Sequence, residues 1–207
     1  MTAPQRLTDR KRQAILDAAA GQFCVLGFEA SSMDKIAAAA GVSKRTVYNH
    51  FPSKEDLFAE TLVQLFHRKF EALDLVYRPD TPLRAQLQAL LQQKLATMAD
   101  PDFLTLARVA VAEAVHAPER ARPIMARIGE REEGVTTWVR AAQADGRLKE
   151  GDPLFAATML HGQLKAVAFW PQVAMGAAPL DAASQDRLVD AAVSMFLGYF
   201  ASSHEAT

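Results

Sequence analysis

The sequence predicts an all-α protein of about nine helices, on three observations. Apolar residues recur at helical spacing in almost every segment of the 207-residue chain, from Ile15, Ala19 and Phe23 to the long stripes after residue 81. Helix-starting signals stand in front of several of these stripes. Ser53-Lys54-Glu55-Asp56 has the form of a capping box, and Asp100-Pro101 and Asp152-Pro153 place proline at a first helical position. No β-branched, alternating run bounded by turns interrupts the pattern.

Taken in order, the first stripe is Ile15, Ala19 and Phe23, with Leu16 and Leu26 beside it, and it stops at Gly27. A very short helix follows over Met33–Ala40, behind the capping serines Ser31 and Ser32 and closed by Gly41. Ser43 opens another short segment, Lys44–Asn49, which breaks at Phe51-Pro52. The capping box at Ser53 then starts a longer helix striped by Phe58, Leu62, Leu65, Phe66, Phe70 and Leu73. Leu83, Leu87, Leu90, Leu91, Leu95 and Met98 mark the next, and Phe103, Ala107, Ala110, Val111 and Ala114 the one after Asp100-Pro101. Ile124, Ile128, Val135, Trp138 and Ala142 read as a single helix ending near Gly146.

The last two helices, about 153–170 and 186–201, are apolar on most sides. A helix apolar all round is buried all round, which a terminal helix of a small protein achieves when a second subunit covers its outer face. Two such helices from each protomer predict a four-helix, two-fold interface and hence a homodimer. The alternative is a well-buried core pair within one chain.

Composition narrows the class. Half the residues are hydrophobic and 23% are charged, as in an ordinary globular protein, and a single cysteine, Cys24, leaves no internal disulfide framework. With no signal-peptide pattern and no long apolar run, the expected location is cytoplasmic. The whole chain carries net charge −1, yet residues 1–54 hold eight Lys and Arg against four Asp and Glu. That basic end on an acidic body suits a protein that touches phosphates with one face.

Catalysis finds no support. There is no His-Glu-x-x-His, no glycine-rich phosphate loop and no nucleophile elbow. His50, His67, His116, His161 and His204 lack metal-ligand spacing, and Cys24 sits on an apolar stripe. Neither cofactor nor metal is expected.

The stretch from Ser32 to Leu57 is the informative one. A short helix, a glycine-containing turn and a second short helix form the layout of a helix-turn-helix. Ile36, Ala37, Ala40, Val42 and Val47 supply small apolar contacts, and Lys44, Arg45, Thr46, Tyr48 and Asn49 are left to face outward. The run Val42-Ser43-Lys44-Arg45-Thr46-Val47-Tyr48-Asn49-His50-Phe51, followed by Lys54-Glu55-Asp56-Leu57, resembles the recognition segment of the TetR family of bacterial transcriptional regulators. Ile15-Leu16-Asp17-Ala18-Ala19, Phe23 and Gly27-Phe28 are similar to that family's first helix. More loosely, Leu106–Ala114, Asp145-Gly146-Arg147-Leu148 and Asp152-Pro153 resemble its AefR-like group.

The resemblance implies a DNA-binding domain over 1–54 and an effector-binding and dimerisation domain over 55–207. It implies that Lys44, Arg45 and Thr46 face base edges, while Ser32, Tyr48, His50 and Lys54 touch phosphates of a palindromic operator. An alternative for His50 is packing at a helix junction. Arg6, Arg10, Lys11 and Arg12 would form a basic arm, or else a frayed end. The body would hold a small, mostly apolar effector against Phe66, Phe103, His116, Trp138, Met159 and Gln163. Repression relieved by that effector is the expected activity.

Overall fold

A computed structural model describes residues 7–70, 76–129 and 133–203. It is all-α, with no named strand among the described residues. The α-helical segments are α1 (Leu7–Ala30), α2 (Met33–Ala39), α3 (Lys44–His50), α4 (Lys54–Phe70), α5 (Leu83–Met98) and α6 (Pro101–His116). There follow α7 (Pro118–Gly129), α8 (Glu133–Ala144), α9 (Pro153–Leu164), α10 (Trp170–Met175) and α11 (Ala182–Phe200). A π-helical turn, Lys165–Phe169, joins α9 to α10, so 153–175 is one continuous helix. That makes ten helices among the described residues, one more than expected. The described residues of the stretch read as a single helix over 124–142 belong to α7 and α8.

The chain forms two compact units. The first is residues up to Arg68 together with Thr105–Ile128, and the second is Lys69–Leu104 with Gly129–Thr207. In the first, Ile15, Leu16, Ala19 and Phe23 of α1 pack with Ile36 and Ala37 of α2, Val47 of α3, and Leu57, Phe58 and Leu62 of α4. Leu106, Ala110 and Ile124 close this core from α6 and α7. Three rings gather at its centre: Phe23 meets Phe58 edge-on at 5.0 Å, and Phe28 lies 4.9 Å from Phe58. The α1 pattern stops where the sequence says it should. Gly27 takes φ 77°, a left-handed value that glycine adopts without steric cost, and one further helical turn follows it.

In the second unit the α5 stripe Leu83, Leu87, Leu90, Leu91 and Leu95 packs with Val135, Trp138 and Val139 of α8, Leu160 and Leu164 of α9, and Val193 and Phe196 of α11. Gln86, buried on α5, ties this unit together. Its Oε1 accepts from Trp138 Nε1 (3.1 Å) and from the Arg78 backbone N–H (2.9 Å), while Nε2 donates to the carbonyls of Arg78 and Thr81. After α8 and α11 the chain pairs once, at the isolated bridge Leu148–Ala201.

The two terminal helices are buried on one face only. Val189, Ala192, Val193 and Phe196 of α11 are enclosed, whereas Met195 and Tyr199 are 57% and 68% exposed. Leu154, Phe155 and Met159 of α9, with Val167 and Trp170 beyond it, are likewise exposed. The chain therefore covers only the inner half of what the sequence marks as apolar. No helix among the described residues is long and apolar enough to cross a membrane.

Candidate nucleic-acid interface

The helix-turn-helix is built by two serine caps and one glycine. Ser32, extended at φ −135° and ψ 144°, accepts the Lys35 N–H on its Oγ (3.2 Å) and starts α2. Gly41 turns the chain with φ 65°, and Val42 N–H bonds back to Ala37 O at 3.1 Å. Ser43 Oγ accepts the Thr46 N–H (3.1 Å) and starts α3. Buried Ile36, Ala37 and Val47 pin the two helices, and buried Phe51 anchors the exit. Ser53 Oγ accepts the Asp56 N–H (3.0 Å) and donates to the Asp56 carboxylate (2.7 Å), so the serine half of the expected capping box is in place at α4, with the carboxylate meeting the hydroxyl.

Lys44, Arg45, Tyr48 and Asn49 are exposed on α3, and Thr46 and His50 are half-buried. A small polar and charged face is thus offered at the N-terminal end of the second helix, the end that meets base edges in this motif. Two of these side chains already have partners. Lys44 Nζ contacts both carboxylate oxygens of Asp34 on α2 (2.8 and 3.0 Å), and that hydrogen-bonded partner holds its pKa above the usual lysine range. Thr46 Oγ1 lies 2.8 Å from Ser43 Oγ. His50 sits beside Phe51, ring centroids 6.3 Å apart.

Ser32 and Lys54 are half-buried and already bonded within the protein. The Ser32 hydroxyl is the α2 cap. Lys54 Nζ donates to the carbonyls of Phe28 (2.9 Å), Glu29 (3.3 Å) and Ser31 (3.3 Å), and lies 4.3 Å from the Phe28 ring centroid. Its ammonium thus serves the open carbonyls at the end of α1. Arg10 and Lys11 are not an arm. They are exposed residues of the first turns of α1, and Arg12 pairs with Glu60 of α4 at 2.8 Å. Arg6 lies outside the described residues.

The expected effector contacts have different surroundings. Trp138 is core, its N–H taken by Gln86, and Phe103 is buried with its centroid 6.1 Å from that of Phe169. Met159 is 47% exposed on the outer face of α9, and His116 is exposed at the end of α6, in the other compact unit. Gln163 is half-buried, with its Oε1 enclosed and without a hydrogen-bond partner. The Phe66 side chain lies outside the described residues. Sequence reading passed over Lys94, His161 and Gln172, which are all buried in the second unit. Lys94 had a visible signal, a charge at helical spacing between Leu90 and Met98 on an otherwise apolar stripe. Among the described residues no cluster of His, Cys, Asp or Glu could hold a metal.

A short two-helix reader with an exposed polar second helix, on an all-α scaffold, defines a helix-turn-helix DNA-binding protein. The family pattern of bacterial regulatory proteins of the tetR family matches residues 15–61, and that of the AefR-like transcriptional repressor C-terminal domain matches residues 85–202. The chain belongs to the TetR family of transcriptional regulators. A TetR-family regulator of known structure from Pseudomonas syringae pv. tomato is 51% identical, covering 94% of this chain and 99% of that one with a TM-score of 0.79. The flavonoid-responsive regulator FrrA is 28% identical, covering 94% of this chain and 98% of its own, with a TM-score of 0.77. The regulator YhgD of Bacillus subtilis is 35% identical over 83 residues, 40% of this chain and 43% of its own length. The chain thus spans less than half the length of this curated relative.

Proposed function

We propose that this chain is a dimeric repressor that reads a palindromic operator through α2 and α3 and leaves it when a small, largely apolar compound binds its body. The observation that carries the reading is the division of α3. Val47 is buried, while Lys44, Arg45, Tyr48 and Asn49 stand in solvent with hydrogen-bonding groups suited to base edges and phosphates. Residues 1–54 are the DNA-binding part and 55–207 the part that dimerises and takes the effector. Arg45 is the strongest candidate for a guanine contact, with Lys44 and Thr46 beside it. Tyr48 and His50 are assigned to phosphates, as are Ser32 and Lys54 once they exchange their present bonds.

The open apolar faces of α9 and α11 support the dimer. Large exposed apolar surface marks an interaction site, and a two-fold pairing turns one half-site reader into a palindrome reader. Release follows as a population shift. An effector that moves occupancy from 1:99 to 99:1 prefers the released form by about 5.5 kcal/mol. In that form the recognition helices no longer sit about 34–36 Å apart. Similarity to a flavonoid-responsive regulator makes polyphenols the first compounds to screen. Such a regulator works in the cytoplasm and needs no catalytic group.

The test is a fluorescence-anisotropy titration against labelled fragments of the DNA upstream of the protein's own coding region, at two salt concentrations. Sequence-specific binding near 10⁻⁸ M, of the order typical for specific regulators, supports the reading. Tyr48→Phe should weaken binding to all fragments and leave dimerisation unchanged. Affinity no tighter than about 10⁻⁴ to 10⁻⁶ M on every fragment, without preference, would refute it for those sites.

A further inference from the structure

The end of α1 is held from two helices that lie outside the helix-turn-helix. From α4 comes Lys54, bonded to three carbonyls and set over the Phe28 ring. From α7 comes Arg120. Its guanidinium carbon lies 5.5 Å from the same ring, and Nε and Nη2 both donate to Oε1 of Glu113, the former at 2.9 Å. Nη2 also stands 3.6 Å from Glu29 Oε1. Glu113 is buried, its side chain only 7% exposed. A cleft of about 300 Å³ beside these groups is lined by Phe28, Glu55, Phe58, Glu113, Arg120 and Ile124 among others.

The segment so gripped delivers the chain into α2. Ser31 N–H bonds to Phe28 O at 3.3 Å, Ser31 Oγ donates to Gly27 O, and Ser32 is the α2 cap. Because Gly27 breaks the α1 helix at φ 77°, the turn after it lacks the stiffness of a continuous helix and depends on side chains for its position. We propose that Arg120 is a positioning residue for DNA reading: by clamping Phe28 and Glu29 to the buried Glu113, it fixes where α2 begins and so how α3 is presented. The inference rests on the operator-reading role of α2 and α3. Arg120 touches no DNA in it. A guanidinium whose Nε and Nη2 are bonded to a buried carboxylate, and which faces an aromatic ring, is committed within the protein.

The experiment uses the full-length chain with Arg120→Met, Arg120→Lys and the double variant Arg120→Met/Glu113→Leu. The double variant removes both charges together, so no buried carboxylate is stranded if the single change fails to fold. Two readouts are taken: operator affinity as a function of salt, and amide hydrogen exchange at Ser31, Lys35 and Ile36 in the free protein. Loss of the clamp is expected to weaken operator binding about tenfold and to speed exchange at these amides by a similar factor, a change of the size a charge-assisted hydrogen bond to a buried carboxylate supplies. The salt slope stays as in the wild type, and Arg120→Lys recovers part of both effects. A slope reduced by about one would make Arg120 a phosphate contact and overturn the proposal. Unchanged exchange at residues 31–36 would overturn it as well. If the wild type binds no operator, the regulator reading fails on that result, while the exchange measurement still decides the role of Arg120.

Discussion

The ammonium of Lys44 sits 2.8 Å from one carboxylate oxygen of Asp34 and 3.0 Å from the other, tying the first residue of α3 to the first turn of α2. Both side chains are largely exposed, so the pair is weak and can be exchanged for a phosphate or a guanine edge. Asp34 is then a built-in competitor of DNA for Lys44. Asp34→Asn should tighten binding to non-specific DNA about three- to tenfold and steepen the salt dependence by about one counterion. An anisotropy titration of random-sequence duplex at several salt concentrations checks this; an unchanged slope would mean that Lys44 never reaches the DNA.

The same pair sets a pH expectation. A partner that raises the lysine pKa stabilises the fold fully below the unfolded value, about 10.4, and the contribution fades as pH rises through the higher folded value. Between pH 6 and 9 the Lys44–Asp34 pair should therefore add no pH dependence to stability. Thermal unfolding of Asp34→Asn and wild type across that range checks it, and the difference in Tm should be flat.

Lys54 is placed to stabilise the end of α1 as well as to meet a phosphate. Lys54→Met should cost about 1–3 kcal/mol, the range for a charge-assisted hydrogen-bonding site left open. If carbonyl capping is its whole role, operator binding weakens without a change in salt slope. A slope lower by about one would instead show that the ammonium leaves its carbonyls for the DNA.

The exposed face of α9 and α11 gives a sharp test of assembly. A glutamate at Leu154 or at Met195 has free access to water in the protomer, yet would be desolvated at a two-fold interface. Sedimentation velocity should show each variant as a monomer with wild-type helicity by circular dichroism. A wild-type dimer that survives both changes would place the interface elsewhere.

Gln86→Leu removes the acceptor of the Trp138 N–H and the partners of the Arg78 and Thr81 backbone groups. Stranding buried polar groups costs about 1–3 kcal/mol each, so Tm should fall by at least about 2–4 °C in a chain of this size. Differential scanning calorimetry reads the change directly.

The local signals in the sequence were the ones that carried through to structure. Ser32, Ser43 and Ser53 cap where their positions say, Gly27 and Gly41 turn where they stand, and Val47 is the inward residue of α3. Such features depend on a few neighbouring residues and can be read from them. What the sequence concealed depends on distant partners. Nothing around Lys54 announces that Phe28, Glu29 and Ser31 will offer it three carbonyls. Nothing around Lys44 points to Asp34 rather than to a base. Trp138 and Met159 look alike as large apolar residues at helical spacing, yet one is core and the other faces outward, because only packing decides which side of a helix is covered.

The π-helical turn at Lys165–Phe169 carries a consequence for comparing relatives. Trp170 N–H reaches back five residues to Lys165 O, and the proline that follows has no N–H to give Val167. The wide turn houses one residue more than an α-turn of the same rise, an insertion hidden inside a helix. A relative lacking that residue would keep an unbroken α-helix, its downstream side chains facing as they do here but numbered one earlier. The counterpart of Gln172, which here donates to Met98 O at 3.2 Å, would then stand one number earlier in its chain. Alignments of this region need a one-residue gap within the turn, or every position from Trp170 to Met175 will be matched to the wrong neighbour.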